Sequence, residues 1–238
     1  MNPILSGTLN LILYFIIAAS TALLSHYLFP IPKEIFRKTL HFILLGSFLV
    51  FLFSYPTWKS AALAAIIFEL LVYPVLAFFE RYSGYSELTT ERKKGELKNS
   101  LMLVFTMFAI VVAVCWGIFQ DKYLALASLY AWGIGDAFAA LVGKKFGRHK
   151  IKAPKLDGKK SYEGTLSMFL VSFTTVTVIL LCRGGLKIIS CLIIALPVAV
   201  VAAFTELYSR NGNDTIICPL SSMVVLLPLV YLFGGLLP

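Results

Sequence analysis

The sequence predicts an all-α polytopic membrane protein, about eight transmembrane helices in one bundle with a basic cytosolic loop between helices 5 and 6. Three observations predict it. First, 59% of the 238 residues are hydrophobic and 14% are charged, whereas a soluble domain needs roughly a quarter charged to cover its surface. The mean hydropathy of +0.86 agrees. Second, eight long apolar runs recur along the chain, most of them near the roughly 20 residues that carry a helix across a bilayer core. Third, the basic residues gather in alternate loops, the pattern that orients membrane helices.

The runs fall at 7–29, 39–54, 61–80, 100–119, 123–143, 163–181, 188–207 and 217–235. The first has no basic segment before it and is longer than a signal-peptide core, so it reads as a helix. The second is short unless it takes in Lys38 and Thr39. It follows a basic cluster, Lys33, Arg37, Lys38 and His41, suited to interfacial anchoring or to contact with a nucleotide or head group. The third contains Glu69, which reads either as a buried acid bonded to another helix or as a substrate-cavity group. The stretch RYSGYSELTTERKKGELKNS, 81–100, reads as a cytosolic loop or amphipathic surface segment able to gate a site. The fifth run contains Gly133, Gly135 and Asp136 and is expected to be broken or to line a cavity. The seventh leads through FTELYSRNGNDTIICPL, 204–220, into a last span expected to start at Pro219.

With eight spans, one side receives 17 Lys and Arg, including the eight between Lys144 and Lys160, and the other receives only Lys59, Lys122, Arg183 and Lys187. The positive-inside rule places the 17 in the cytosol and both termini on the opposite side. Cys115, Cys182, Cys191 and Cys218 have no CxxC spacing and read as packing thiols. His26, His41 and His149 are too far apart in sequence to form a metal-ligand pair. No internal repeat interrupts the chain, and 1–238 reads as a single membrane domain.

Chemistry concentrates in LYAWGIGDAFAALVGKKFGRHKIKAPKLDGKKSYEGTLSMF, 129–169. An unpaired carboxylate is costly in hydrocarbon, so Asp136 should face a polar cavity, a cation or a helix partner. Helical spacing puts Trp132, Asp136 and Ala140 on one face, with Gly143 and Gly147 at the exit. The basic residues that follow serve topology and anionic head groups. Lys159, Lys160, Ser161, Tyr162, Glu163 and Gly164 lead directly into the sixth span, and backbone donors at a helix start favour bound phosphate. Glu163 can hold a cation or cap the helix. Ser161 and Glu163 lack the i to i+3 spacing of a capping box, which weakens a purely structural account. Glu206 and Asp214 join Asp136 and Glu163 at the same face, and four carboxylates beside a basic loop suit a divalent cation with a polyphosphate.

These motifs resemble the integral-membrane CTP-dependent lipid-alcohol kinases, the family of dolichol kinase, phytol kinase and CTP-dependent diacylglycerol kinase, and are distantly similar to phosphatidate cytidylyltransferase. The resemblance covers most of the chain after residue 35 and is strongest in WGIGDAFAALVGKKFGRHKI and KKSYEGTLSMF. It matches the family's glycine-flanked aspartate to Asp136, its Gly-x-x-x-Gly to Gly143 and Gly147, and its Lys-Ser-x-Glu-Gly to Lys160, Ser161, Glu163 and Gly164. The family's later Glu and Asp-Asn match Glu206 and Asp214, with Thr215 standing where the asparagine is usual.

The resemblance implies a single integral-membrane kinase domain that transfers the γ-phosphoryl group of CTP to the hydroxyl of an isoprenoid alcohol of polyprenol, dolichol or phytol type. It implies Asp136, Lys160 and Glu163 as catalytic residues and Lys144, Gly143, Gly147, Lys159, Lys160, Ser161 and Gly164 as nucleotide-binding residues. Mg²⁺ would be held among Asp136, Glu163, Glu206 and Asp214. No Walker A or dinucleotide fingerprint supports an ordinary ATP fold. The partners expected are CTP, a membrane lipid alcohol and the bilayer, with no nucleic acid; a homodimer is left open. Two rivals stay open: a lipid-phosphate cytidylyltransferase, and an anion transporter using Asp136 and Glu69.

Overall fold

The computed structural model describes residues 2–82, 95–151, 160–209 and 212–234. Among them it holds eight helices long and apolar enough to cross a membrane, and no strand. They are α1 (Pro3–Leu28), α2 (Lys33–Ser54), α3 (Trp58–Phe79), α4 (Glu96–Val111), α5 (Lys122–Phe146), α6 (Tyr162–Arg183), α7 (Ile188–Tyr208) and α8 (Asp214–Leu232). A π-helical segment, Val112–Ile118, continues α4. The chain divides into two compact units, Met1–Ala113 and Val114–Pro238.

In the first unit α1 packs on α2 and α3 on α4. The Asn2 side chain accepts from Ile4 N at 3.0 Å to start α1, and Thr57 and Ser60 close a reciprocal capping box on α3. The second apolar run does borrow its polar flank: α2 starts at Lys33, and Lys38 is buried. The core is aromatic, with Phe48 against Phe108 at 4.7 Å and Phe68 against Phe105 at 5.0 Å between ring centroids.

The second unit is organised around α5, which contacts α6, α7 and α8. A helix that touches three others must be apolar nearly all round, and Leu124 to Leu129, Ala131, Trp132, Gly133, Gly135, Ala137 and Ala139 are all buried. Asp121 caps it, accepting from Tyr123 N at 2.8 Å and Leu124 N at 3.1 Å, while its other oxygen takes Arg183 Nε at 2.5 Å. The start of α5 is thereby tied to the end of α6.

Two expectations are corrected here. The fifth span is not broken at its glycines; α5 runs unbroken from Lys122 to Phe146. Gly135 serves close packing instead: a Cβ there would stand 2.5 Å from Met168 Sδ and 2.6 Å from Ser172 Oγ. Ser172 Oγ in turn donates to Ala131 O at 2.6 Å across the same contact. The last span does not start at Pro219 either. It starts at Asp214, and Pro219 lies buried within the helix.

Candidate active site

Because α5 and α6 pair antiparallel and α7 and α8 follow in turn, four helix ends meet: the end of α5, the start of α6, the end of α7 and the start of α8. Glu206, in the last turn of α7, is 9% exposed. A carboxylate so buried needs a partner, and Lys160 supplies it: Nζ lies 2.8 Å from Glu206 Oε1 and also donates to the Glu206 carbonyl. Glu206 lies within electrostatic reach of Asp136 and Asp214 as well. Trp132, one turn before Asp136, donates from Nε1 to Asp214 Oδ2 at 3.4 Å. The structure thus brings Asp136, Lys160, Glu206 and Asp214 into one neighbourhood.

Glu163 is engaged separately. Its Oε1 accepts from the backbone N–H groups of Arg148 and His149, each at 3.2 Å, and lies 2.7 Å from His149 Nδ1. The sequence reading considered His149 only as a metal ligand and missed this role. Lys160 itself is framed by backbone pairing: Ile151 N donates to Lys160 O, and Tyr162 N to His149 O, each at 3.0 Å. Residues 149–151 and 160–162 therefore close the base of the basic loop. Lys159, expected to bind nucleotide, and the rest of 152–159 lie outside the described residues, as do 83–94 of the expected gating segment.

Ser161 caps α6 by accepting from Gly164 N at 3.2 Å. The missing capping-box acid does not weaken this structural role, because one side-chain oxygen on the N3 amide suffices. Gly143, Gly147 and Gly164 gather around the Ser161 hydroxyl: a Cβ would stand 3.4 Å from it at Gly143, 2.6 Å at Gly147 and 3.3 Å at Gly164. At these positions the glycines let the end of α5 approach the start of α6. Lys144 is exposed in the last turn of α5.

The sequence model of the cytidylyltransferase family matches residues 4–212, nearly the whole chain. The chain belongs to the cytidylyltransferase family. It is 31% identical over 216 residues to the phytol kinase of Synechocystis sp. (strain ATCC 27184 / PCC 6803 / Kazusa), covering 86% of this chain and 83% of that protein. It is 30% identical over 169 residues to a probable chloroplastic phytol kinase of Triticum aestivum, covering 67% of this chain but 52% of the relative. A probable chloroplastic phytol kinase of Zea mays is 26% identical over 213 residues, with 82% and 66% covered. The chain thus spans most of the cyanobacterial relative but only about half to two thirds of these plant ones. No solved structure matches it. The family match includes Asp136, Lys160, Glu163 and Glu206 and stops two residues before Asp214.

In the first unit of this cytidylyltransferase-family chain, Glu69 accepts from Thr106 Oγ1 at 3.1 Å, the interhelical bond that one of its two readings called for. Lys98 pairs with Glu80 at 2.7 Å and lies over the Tyr73 ring. A narrow cleft between α3 and α4 is lined by Glu69, Tyr73, Lys98 and apolar neighbours.

Proposed function

We propose that the chain is an integral-membrane, CTP-dependent kinase of an isoprenoid alcohol of phytol type, giving the lipid monophosphate and CDP. The observation that carries the reading is the junction of Asp136, Glu206 and Asp214 with Lys160 in a chain whose relatives are named phytol kinase. Carboxylates gathered beside an ammonium are the groups that hold a cation and a phosphate together, and an apolar helix bundle lets an alcohol reach the same place from the bilayer. The segregation of 17 basic residues supports a cytosolic face for this end, where CTP is available.

Hard carboxylate oxygens are the donor type that Mg²⁺ prefers. Among the described residues no group of three or more His, Cys, Asp or Glu could hold a metal alone. One or two protein carboxylates completed by phosphate oxygens and water is the usual arrangement of nucleotide-bound Mg²⁺. Asp136, Glu206 and Asp214 would supply them, and the ion would screen charge between the β- and γ-phosphates. Lys160 stabilises charge on the transferring phosphoryl group, exchanging Glu206 for phosphate oxygen. Asp136, the one acid within α5, accepts the proton of the lipid hydroxyl as its oxygen bonds to phosphorus and the bond to the CDP oxygen breaks. Glu163, its Oε1 already shared among three donors, holds the loop base rather than the metal.

The test incubates purified protein with γ-³²P-CTP, α-³²P-CTP or γ-³²P-ATP, with phytol, long polyprenol or diacylglycerol, and with EDTA or Mg²⁺. Label from γ-³²P-CTP on phytol, with CDP released and EDTA abolishing transfer, is the expected outcome. The family's name favours one second reading, transfer of CMP to a lipid phosphate. Supplied with a lipid phosphate, that reaction would release pyrophosphate and move the α-label to lipid.

A further inference from the structure

We infer that His149 is a positioning residue for Lys160, acting through Glu163; the inference rests on the kinase reading above. Glu163 is the second residue of α6, and its carboxylate collects the His149 imidazole Nδ1 at 2.7 Å and the Arg148 and His149 amides at 3.2 Å each. Three donors on one carboxylate oxygen fix the chain just past the end of α5 against the first turn of α6. A lone surface pair would fix little, but this one is continuous with backbone pairing. Tyr162 N bonds His149 O, Ile151 N bonds Lys160 O, and Lys150 faces Ser161 in an antiparallel bridge. Lys160 therefore leaves the loop from a paired backbone, and its ammonium is delivered to Glu206. The His149 side chain is 77% exposed and has no packing role that would require an imidazole. What the position needs is an N–H where Nδ1 stands.

The substitutions that test this separate the two ring nitrogens. Asparagine presents an amide N–H near the place of Nδ1, whereas glutamine reaches toward the place of Nε2. With CTP and phytol, His149→Asn should keep kcat within about twofold, while His149→Gln and His149→Ala lower it roughly ten- to a hundredfold, the scale of an ångström misplacement of a catalytic group. KM for phytol should stay unchanged. The reverse order, glutamine active and asparagine inactive, would mean that Nε2 touches the reactants and would overturn the inference, as would full activity in all three variants.

A second readout needs no turnover. The chain has three histidines, His26, His41 and His149, so ¹⁵N-histidine labelling with single substitutions assigns the His149 ring. Nδ1 should be protonated in the parent and its resonance should move in Glu163→Gln; an unprotonated Nδ1 in the parent rejects the contact. Should that signature hold while the parent transfers no phosphate from CTP to phytol, the kinase reading fails and the clamp stands.

Discussion

The second unit carries a partly buried ion pair at each end, and the two are built differently. At the start of α5, Asp121 meets Arg183 while also accepting two backbone amides. One acid faces one base there, and every bond closes a helix end. At the other end Glu206 meets Lys160, and Asp136 and Asp214 stand within electrostatic reach of Glu206. Pairing that comes out even suits architecture. Several acids gathered about one pair bring like charges together and suit a cationic ligand, so substitutions should separate the two ends by what they damage.

The largest effect belongs to the uneven end. Asp136→Asn should lower kcat roughly a hundredfold or more, by loss of a positioned proton acceptor, with an unchanged elution profile in detergent; near-normal turnover would remove Asp136 from the chemistry. Lys160→Met should abolish transfer and cost about 1–3 kcal/mol in stability, because it leaves Glu206 buried without its cation. Adding Glu206→Met should restore the melting temperature but not the activity. Arg183→Met should cost a similar amount, read by thermal unfolding, and leave kcat within about twofold; a large loss of kcat would show that the even end also serves the reaction.

Smaller changes divide the glycines. A Cβ at Gly147 would collide with the Gly143 carbonyl, whereas one at Gly143 meets nothing closer than 3.4 Å. Gly147→Ala should destabilise by about 1–3 kcal/mol and Gly143→Ala by under about 1 kcal/mol. If Gly143→Ala instead raises KM for CTP at unchanged stability, Gly143 approaches the nucleotide. Ser161→Ala should cost about 1 kcal/mol, the usual value of a lost N-cap, measured the same way.

Helix number was legible because an apolar run of about 20 residues has few alternatives. That Asp136, Glu206 and Asp214 share one end was legible too, since antiparallel spans return them there, whereas Glu163, expected beside them, is engaged by residues 148–149. The packing role of Gly135 was not, because it depends on Met168 and Ser172 arriving from α6 against it. Nor was the start of α8 at Asp214, five residues before Pro219; a proline marks where a helix tolerates a missing amide, not where it begins. The clamp on Glu163 escaped because two of its three donors are backbone amides, which carry no residue signature.

The paired base of the loop, 149–151 against 160–162, also separates length from function. A chain segment anchored at both feet can grow with little thermodynamic consequence, about 0.6 kcal/mol for each doubling. Lys160 would stay where it is while the eight residues between the feet were lengthened, shortened or exchanged. The feet, rather than the number of residues between them, set where Lys160 stands, so an affinity tag inserted after Pro154 should leave its pairing with Glu206 intact.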